Sequence, residues 1–191
     1  MAARKTKTYP AMAVRRIMAE LWDLYDENRS PLGRTVERGK QDGCAAYHVV
    51  VVVAVKNSRG EFLITLRDRS KEFFGGYWEF TGGSALAGET SEAAALREAR
   101  EETGIDHGGS RRTLIHSFKR IFDDGKLGWH GDFWDLWLFE ADFPIDDVVL
   151  QKGETADAKW VSGEELMKID ERGEFFNHSM IKMIKIILGK E

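Results

Sequence analysis

Residues 49–55 read Val-Val-Val-Val-Val-Ala-Val, and no other stretch so restricts what this chain can fold into. β-branched side chains are stiff at χ1 and suit a pleated strand better than a helix. The run is also far short of the ~18 apolar residues of a membrane span. Residues 47–56 therefore read as a buried strand. Residues 57–60 (Asn-Ser-Arg-Gly) make a hairpin turn into a second strand over 61–67.

Weaker patterns fill in the rest. Residues 21–25 read as a short strand, followed by a turn at 26–30 with Pro31 and Gly33. Glycines 75, 76, 82, 83 and 88 punctuate a loop-rich stretch around a short strand at 77–81. Thr90 or Ser91 can cap an alanine-rich helix running to Thr103, with Gly104 as its stop. Residues 111–122 and 133–141 read as strands joined by a glycine-containing loop, 123–132. A short strand follows at 158–161. Ser162 with Glu165 makes a capping box for another helix, and a C-terminal helix from about Ser179 puts Ile181, Ile184, Ile187 and Leu188 on one stripe. These elements together predict a central mixed sheet with a helix on each side.

A chain of 191 residues fits one domain, 18–191, with residues 1–17 as a tail, an upstream start or a loosely docked helix. At this size roughly 70% of the unfolded surface can be buried, so no disulfide or structural metal is needed. The net charge of −4 argues against a nucleic-acid partner, which needs a basic face. The single cysteine, Cys44, cannot form an internal disulfide, and a reducing, cytoplasmic setting is expected. Nothing beside Cys44 marks it as a catalytic thiol. The N-terminus is basic but lacks the apolar core of a secretory signal.

The chemistry concentrates in residues 83–105, GSALAGETSEAAALREAREETGI. Glu98, Glu101 and Glu102 stand at i, i+3 and i+4 and share one helical face. Three neighbouring carboxylates repel one another, and a hard cation with oxygen ligands offsets that repulsion. The plainer account is a solvated face, with Arg97 and Glu101 as an i,i+4 pair.

The wider spacing decides between them. Gly83, then Glu89 after five residues, Arg97-Glu98-Ala99 after seven more, then Glu101-Glu102 and Gly104-Ile105 resemble a Nudix box at every fixed position. Ala99 stands where the family often has a bulkier aliphatic residue. Trp78-Glu79-Phe80-Thr81-Gly82-Gly83 resembles the family's entry segment, with Thr81 where proline is common. Residues 158–161 with Glu164-Glu165-Leu166 resemble its exit, so the likeness spans about residues 45–170. It implies an α/β/α sandwich around a central mixed sheet, and Mg²⁺- or Mn²⁺-dependent hydrolysis of a small diphosphate. Glu101 and Glu102 would be the main metal ligands, and Glu98 a third ligand or the group that orients or deprotonates the attacking water. The Gly83 carbonyl would complete the shell, and Glu89 and Arg97 would hold the loop against the helix. Glu154 falls where family members often place an acidic ligand or base. A homodimer is the assembly such proteins frequently adopt.

Arg67 and Arg69 flank a strand end near the glycine loop, where they can contact phosphate or form surface ion pairs. Trp129, Phe133, Trp134 and Trp137 are dense enough for a stacking wall, although most are expected in the core. Two other functions stay open. Residues 23–28, with Pro31, Leu32 and Gly33, resemble the opening of the isopentenyl-diphosphate isomerase branch. Gly82 and Ser84, however, stand where the isomerase cysteine and metal-binding histidine would be, and Gln41 stands for a further histidine, leaving only His48. The third reading is a non-catalytic nucleotide-binding module, against which the intact carboxylate triplet counts.

Overall fold

The computed structural model describes residues 19–40, 45–72, 74–123, 129–176 and 184–189; the tail and Cys44 lie outside them. The strands are β1 (Leu21–Tyr25), β2 (Pro31–Glu37), β3 (Ala46–Lys56), β4 (Phe62–Arg67), β5 (Trp78–Glu79), β6 (Thr81–Ser84), β7 (Arg111–Asp123), β8 (Trp129–Glu140) and β9 (Thr155–Val161). Among the described residues two helices, α1 (Ser91–Thr103) and α2 (Gly163–Glu171), complete the main elements, and the start of the helix expected from about Ser179 lies outside them.

The valine run is the hub. β8 lies parallel to β3 along its whole length, from Ala46 opposite His130 to Lys56 opposite Glu140. On the other edge β6 pairs antiparallel with Val50–Val53, β4 with Val55–Lys56, and β1 with Tyr47. β9 and β5 extend the sheet beyond β4, and β7 beyond β8. Side chains of a strand alternate between faces. Accordingly Val49, Val51, Val53 and Val55 bury against Ala94, Ala95 and Ala99 of α1. Val52 and Ala54 bury on the opposite face with Leu166 and Ile169 of α2 and with Ile184. Both faces are covered, which is why residues 49–55 of β3 are uninterrupted by polar residues. Each fully buried valine or leucine there contributes roughly 1.5–3 kcal/mol.

Local chemistry sets the helix ends. The Thr90 hydroxyl accepts from the Ala93 N–H at 3.2 Å, and Gly104 closes α1 at φ 71°, donating to the Arg100 carbonyl at 2.8 Å. Ser162 caps α2 by accepting from the Glu165 N–H at 3.2 Å, while the Glu165 carboxylate pairs with Arg172.

Four elements differ from the sequence reading, one of them β9, which begins at Thr155 rather than at 158. β2 is a full strand, although residues 31–37 carry no apolar alternation. It is an edge strand with little buried surface, and Pro31 at its start sacrifices no ladder bond. The expected strand at 77–81 is split: Trp78–Glu79 pairs with β4, and after the buried Phe80 the chain moves to β3. β8 begins at Trp129, so the predicted loop 123–132 is shorter. Among the described residues no helix is long and apolar enough to cross a membrane.

Candidate active site

α1 carries Glu98, Glu101 and Glu102 toward β6, and the two elements are tied residue by residue. Gly83 lies so close to the helix that a Cβ there would sit 2.3 Å from Glu98 Oε1. The Thr81 hydroxyl donates to the Glu102 carboxylate, so the residue that stands in place of proline supplies a hydrogen bond that proline lacks. Arg97 binds across the loop. It donates to both Glu89 oxygens at 2.8 and 3.0 Å and to the Ser84 carbonyl at 3.0 Å, and reaches Glu98 at 2.7 Å and Glu101 at 3.3 Å. Glu89 in turn accepts from the Leu86 N–H at 2.9 Å. One guanidinium thus clamps the glycine loop to the helix face.

The carboxyls differ by environment. Burial, with Glu79 beside it, pushes Glu102 up to about 8. Burial also lifts Glu98 above its ordinary value, against the opposing charge of Arg97. Glu101 is 42% exposed at its side chain and makes its contact with Arg97 at the surface.

Glu79 belongs to this cluster, though its place in the Trp78–Gly83 segment suggested no role. It is 8% exposed and accepts both oxygens' worth of bonding from Arg67 Nη1, at 3.0 Å each. Even so, burial raises it to about 7, with the Arg67 charge opposing and Glu154 adding to the rise. The available signal was an acid between two aromatic residues at a strand position flanked by core. Arg67 is therefore engaged with Glu79, while Arg69 is exposed in the next turn. Glu154 pairs with Lys71, and its carbonyl accepts from the Asp68 N–H at 2.8 Å, which brings the loop before β9 to the mouth of the cluster. Lys71 was not singled out from sequence.

Among the described residues no three acids or imidazoles are already drawn together tightly enough to enclose a cation. The donor set nevertheless suits a hard divalent ion. It is all oxygen, it lies on one helix face, and one of its carboxyls, Glu102, feels the charge of the buried Glu79.

The aromatic residues of β8 do not form an open wall. Phe133 and Trp134 are buried, and the Trp137 indole N–H donates to the Ser91 hydroxyl at 3.0 Å. The Trp129 side chain lies outside what the structure describes. His48 stacks on Trp22 at 4.3 Å, and burial lowers its pKa.

A model of the NUDIX domain matches residues 46–182. An uncharacterised Nudix hydrolase of Listeria monocytogenes is 38% identical over 168 residues, covering 86% of this chain and 93% of that one. An isopentenyl-diphosphate Δ-isomerase of Corynebacterium diphtheriae is 27% identical over 158 residues, 78% of this chain and 81% of that one. Among solved structures, a Deinococcus radiodurans protein has the same fold, with a TM-score of 0.68 at 23% identity over 87% of this chain and 98% of that one.

Proposed function

Because this chain belongs to the Nudix family and is a hydrolase of that family, we propose that it cleaves the diphosphate of a nucleoside diphosphate derivative with the help of a bound Mg²⁺ or Mn²⁺. The reading rests above all on Glu98, Glu101 and Glu102 sharing the α1 face that meets Gly83. Glu101 and Glu102, with the Gly83 carbonyl, would hold the cation, with Glu98 as a third ligand or as the group that activates the attacking water. Bound there, it would supply Lewis acidity, neutralising charge on the diphosphate oxygens as the P–O bond breaks.

The chain's own groups supply the rest. Arg97 and Glu89 keep the loop and helix in register, so the ligand carboxylates do not drift. Glu98, whose carboxyl is lifted by burial, is suited to take a proton from the attacking water, and Glu154 at the cluster's mouth is the second candidate base. Arg67, Lys71 and the exposed Arg69 bring positive charge to the side where a diphosphate would lie.

The test is a screen of nucleotide sugars, dinucleotides and prenyl diphosphates, following release of phosphate or mononucleotide. Release is expected with Mg²⁺ or Mn²⁺ and should vanish in EDTA. Full-rate release without metal would sink the assignment.

A further inference from the structure

We propose that Phe74, Tyr77 and Phe176 form a subsite for the nucleobase of the substrate. The inference rests on the hydrolase reading above and names the part of the substrate that lies beyond the diphosphate.

Phe74 is 46% exposed and Tyr77 37%, although both are large aromatic residues in a chain with a well-filled core. Phe74 is also held at φ 58°, a left-handed backbone that L-residues other than asparagine and aspartate rarely adopt. Such strain persists where the surroundings impose it, and it concentrates at functional positions. Core burial does not account for all of it, because nearly half of the residue stays exposed. The next residue could not absorb a side chain instead: a Cβ on Gly75 would lie 2.9 Å from the carbonyl oxygens of Arg69 and Lys71. The loop is thus wound tightly, and what it presents outward is the Phe74 ring.

The rings form an organised surface. Phe74 stands edge-on to Tyr77, with centroids 5.8 Å apart at 88°, and edge-on to Phe176, 4.5 Å away at 85°. The surface joins the catalytic cluster through one side chain. The Arg67 guanidinium carbon lies 5.4 Å from the Phe176 centroid, while its Nη1 holds Glu79, the neighbour of Glu102. A diphosphate drawn to Arg67 would carry its nucleoside straight to these rings.

The openness of the patch selects the occupant. A nucleobase is planar, stacks on an exposed ring and keeps its polar edges in water. A prenyl chain against the same half-exposed rings would leave much of its apolar surface wet, so it needs a closed pocket.

Binding of the four nucleoside α,β-methylene diphosphates and of methylenediphosphonate, which lacks a base, tests this by calorimetry in Mg²⁺. The wild type should prefer at least one nucleotide analogue by about ten-fold or more, the scale of one base–aromatic stack. Phe74→Gly should lose that preference and keep its affinity for methylenediphosphonate. Its Tm should shift by only a few degrees, because relief of the strain at φ 58° offsets the lost contacts with Tyr77 and Phe176. Equal loss for both ligands, an unchanged preference, or a Phe74-dependent preference for a prenyl diphosphate would each overturn the subsite. If the preference is lost as expected but the wild type hydrolyses no nucleoside diphosphate derivative, the hydrolase reading fails and the base subsite stands. If hydrolysis occurs and Phe74→Gly leaves KM unchanged, only the subsite falls.

Discussion

Glu102 is partly buried, beside a buried carboxyl, Glu79, and receives a hydrogen bond from Thr81. An ordinary core would not keep an acid there, since burial without a counter-charge disfavours the ionised form. Glu102→Gln keeps the shape and the Thr81 bond while abolishing ionisation at that position. In EDTA its Tm should stay level or rise, by about 2–4 °C for each kcal/mol gained. Turnover should fall roughly a hundred-fold or more, beyond what loss of an outer residue of a metal site costs. Normal turnover together with a lower Tm would make the cluster structural. The three carboxylates of α1 were legible because i, i+3 and i+4 spacing is a property of any helix. Glu79 was not, because its partners Arg67 and Glu102 reach it only when β4, β5 and α1 come together.

At the scale of elements, β6 and α1 act as one unit. Gly83 takes an ordinary backbone conformation, so Gly83→Ala is strained by contact alone: its Cβ would displace a Glu98 carboxylate that Arg97 holds at 2.7 Å. Glu98 is the end of a flexible side chain, and the Tm should shift by no more than about 2–4 °C, equivalent to 1 kcal/mol. Turnover should drop roughly ten- to a hundred-fold, as for a displaced support of a metal site. Steady-state kinetics that match the wild type would show that Glu98 need not sit against β6. The strand break at Phe80 belongs to this scale too. The run from Tyr77 to Ser84 looks like a strand interrupted by glycines. Its exchange of partners, from β4 to β3, depends on which edges are free in the assembled sheet.

Across the whole molecule, the 27% identity to an isopentenyl-diphosphate isomerase raises the question of a second reaction. Moving a proton at an unactivated carbon needs an acid–base pair, which the isomerases build from a cysteine and a glutamate. β6 runs Thr81-Gly82-Gly83-Ser84 against Val50–Val53 and offers neither cysteine nor histidine to the carboxylates. The chain's single cysteine, Cys44, precedes β3 in sequence. Incubation with isopentenyl diphosphate and Mg²⁺ should give no dimethylallyl diphosphate. Clear metal-dependent formation of that product would overturn the hydrolase assignment.

Residues 49–55, the Gly104 cap and the Glu98, Glu101 and Glu102 face were settled by sequence alone, because each rests on periodicity or backbone chemistry within a few residues. So was the need for a layer on each side of β3, since an unbroken β-branched run has no face to give to water. Only the tertiary structure decided that β8 runs parallel to β3, that Arg67 serves Glu79, that Phe133 and Trp134 are core while Phe74 and Tyr77 face outward, and that β2 exists at all. Register, pairing and burial join residues tens of positions apart. Their energies depend on which surfaces remain open once everything else has packed, and no local pattern carries that information.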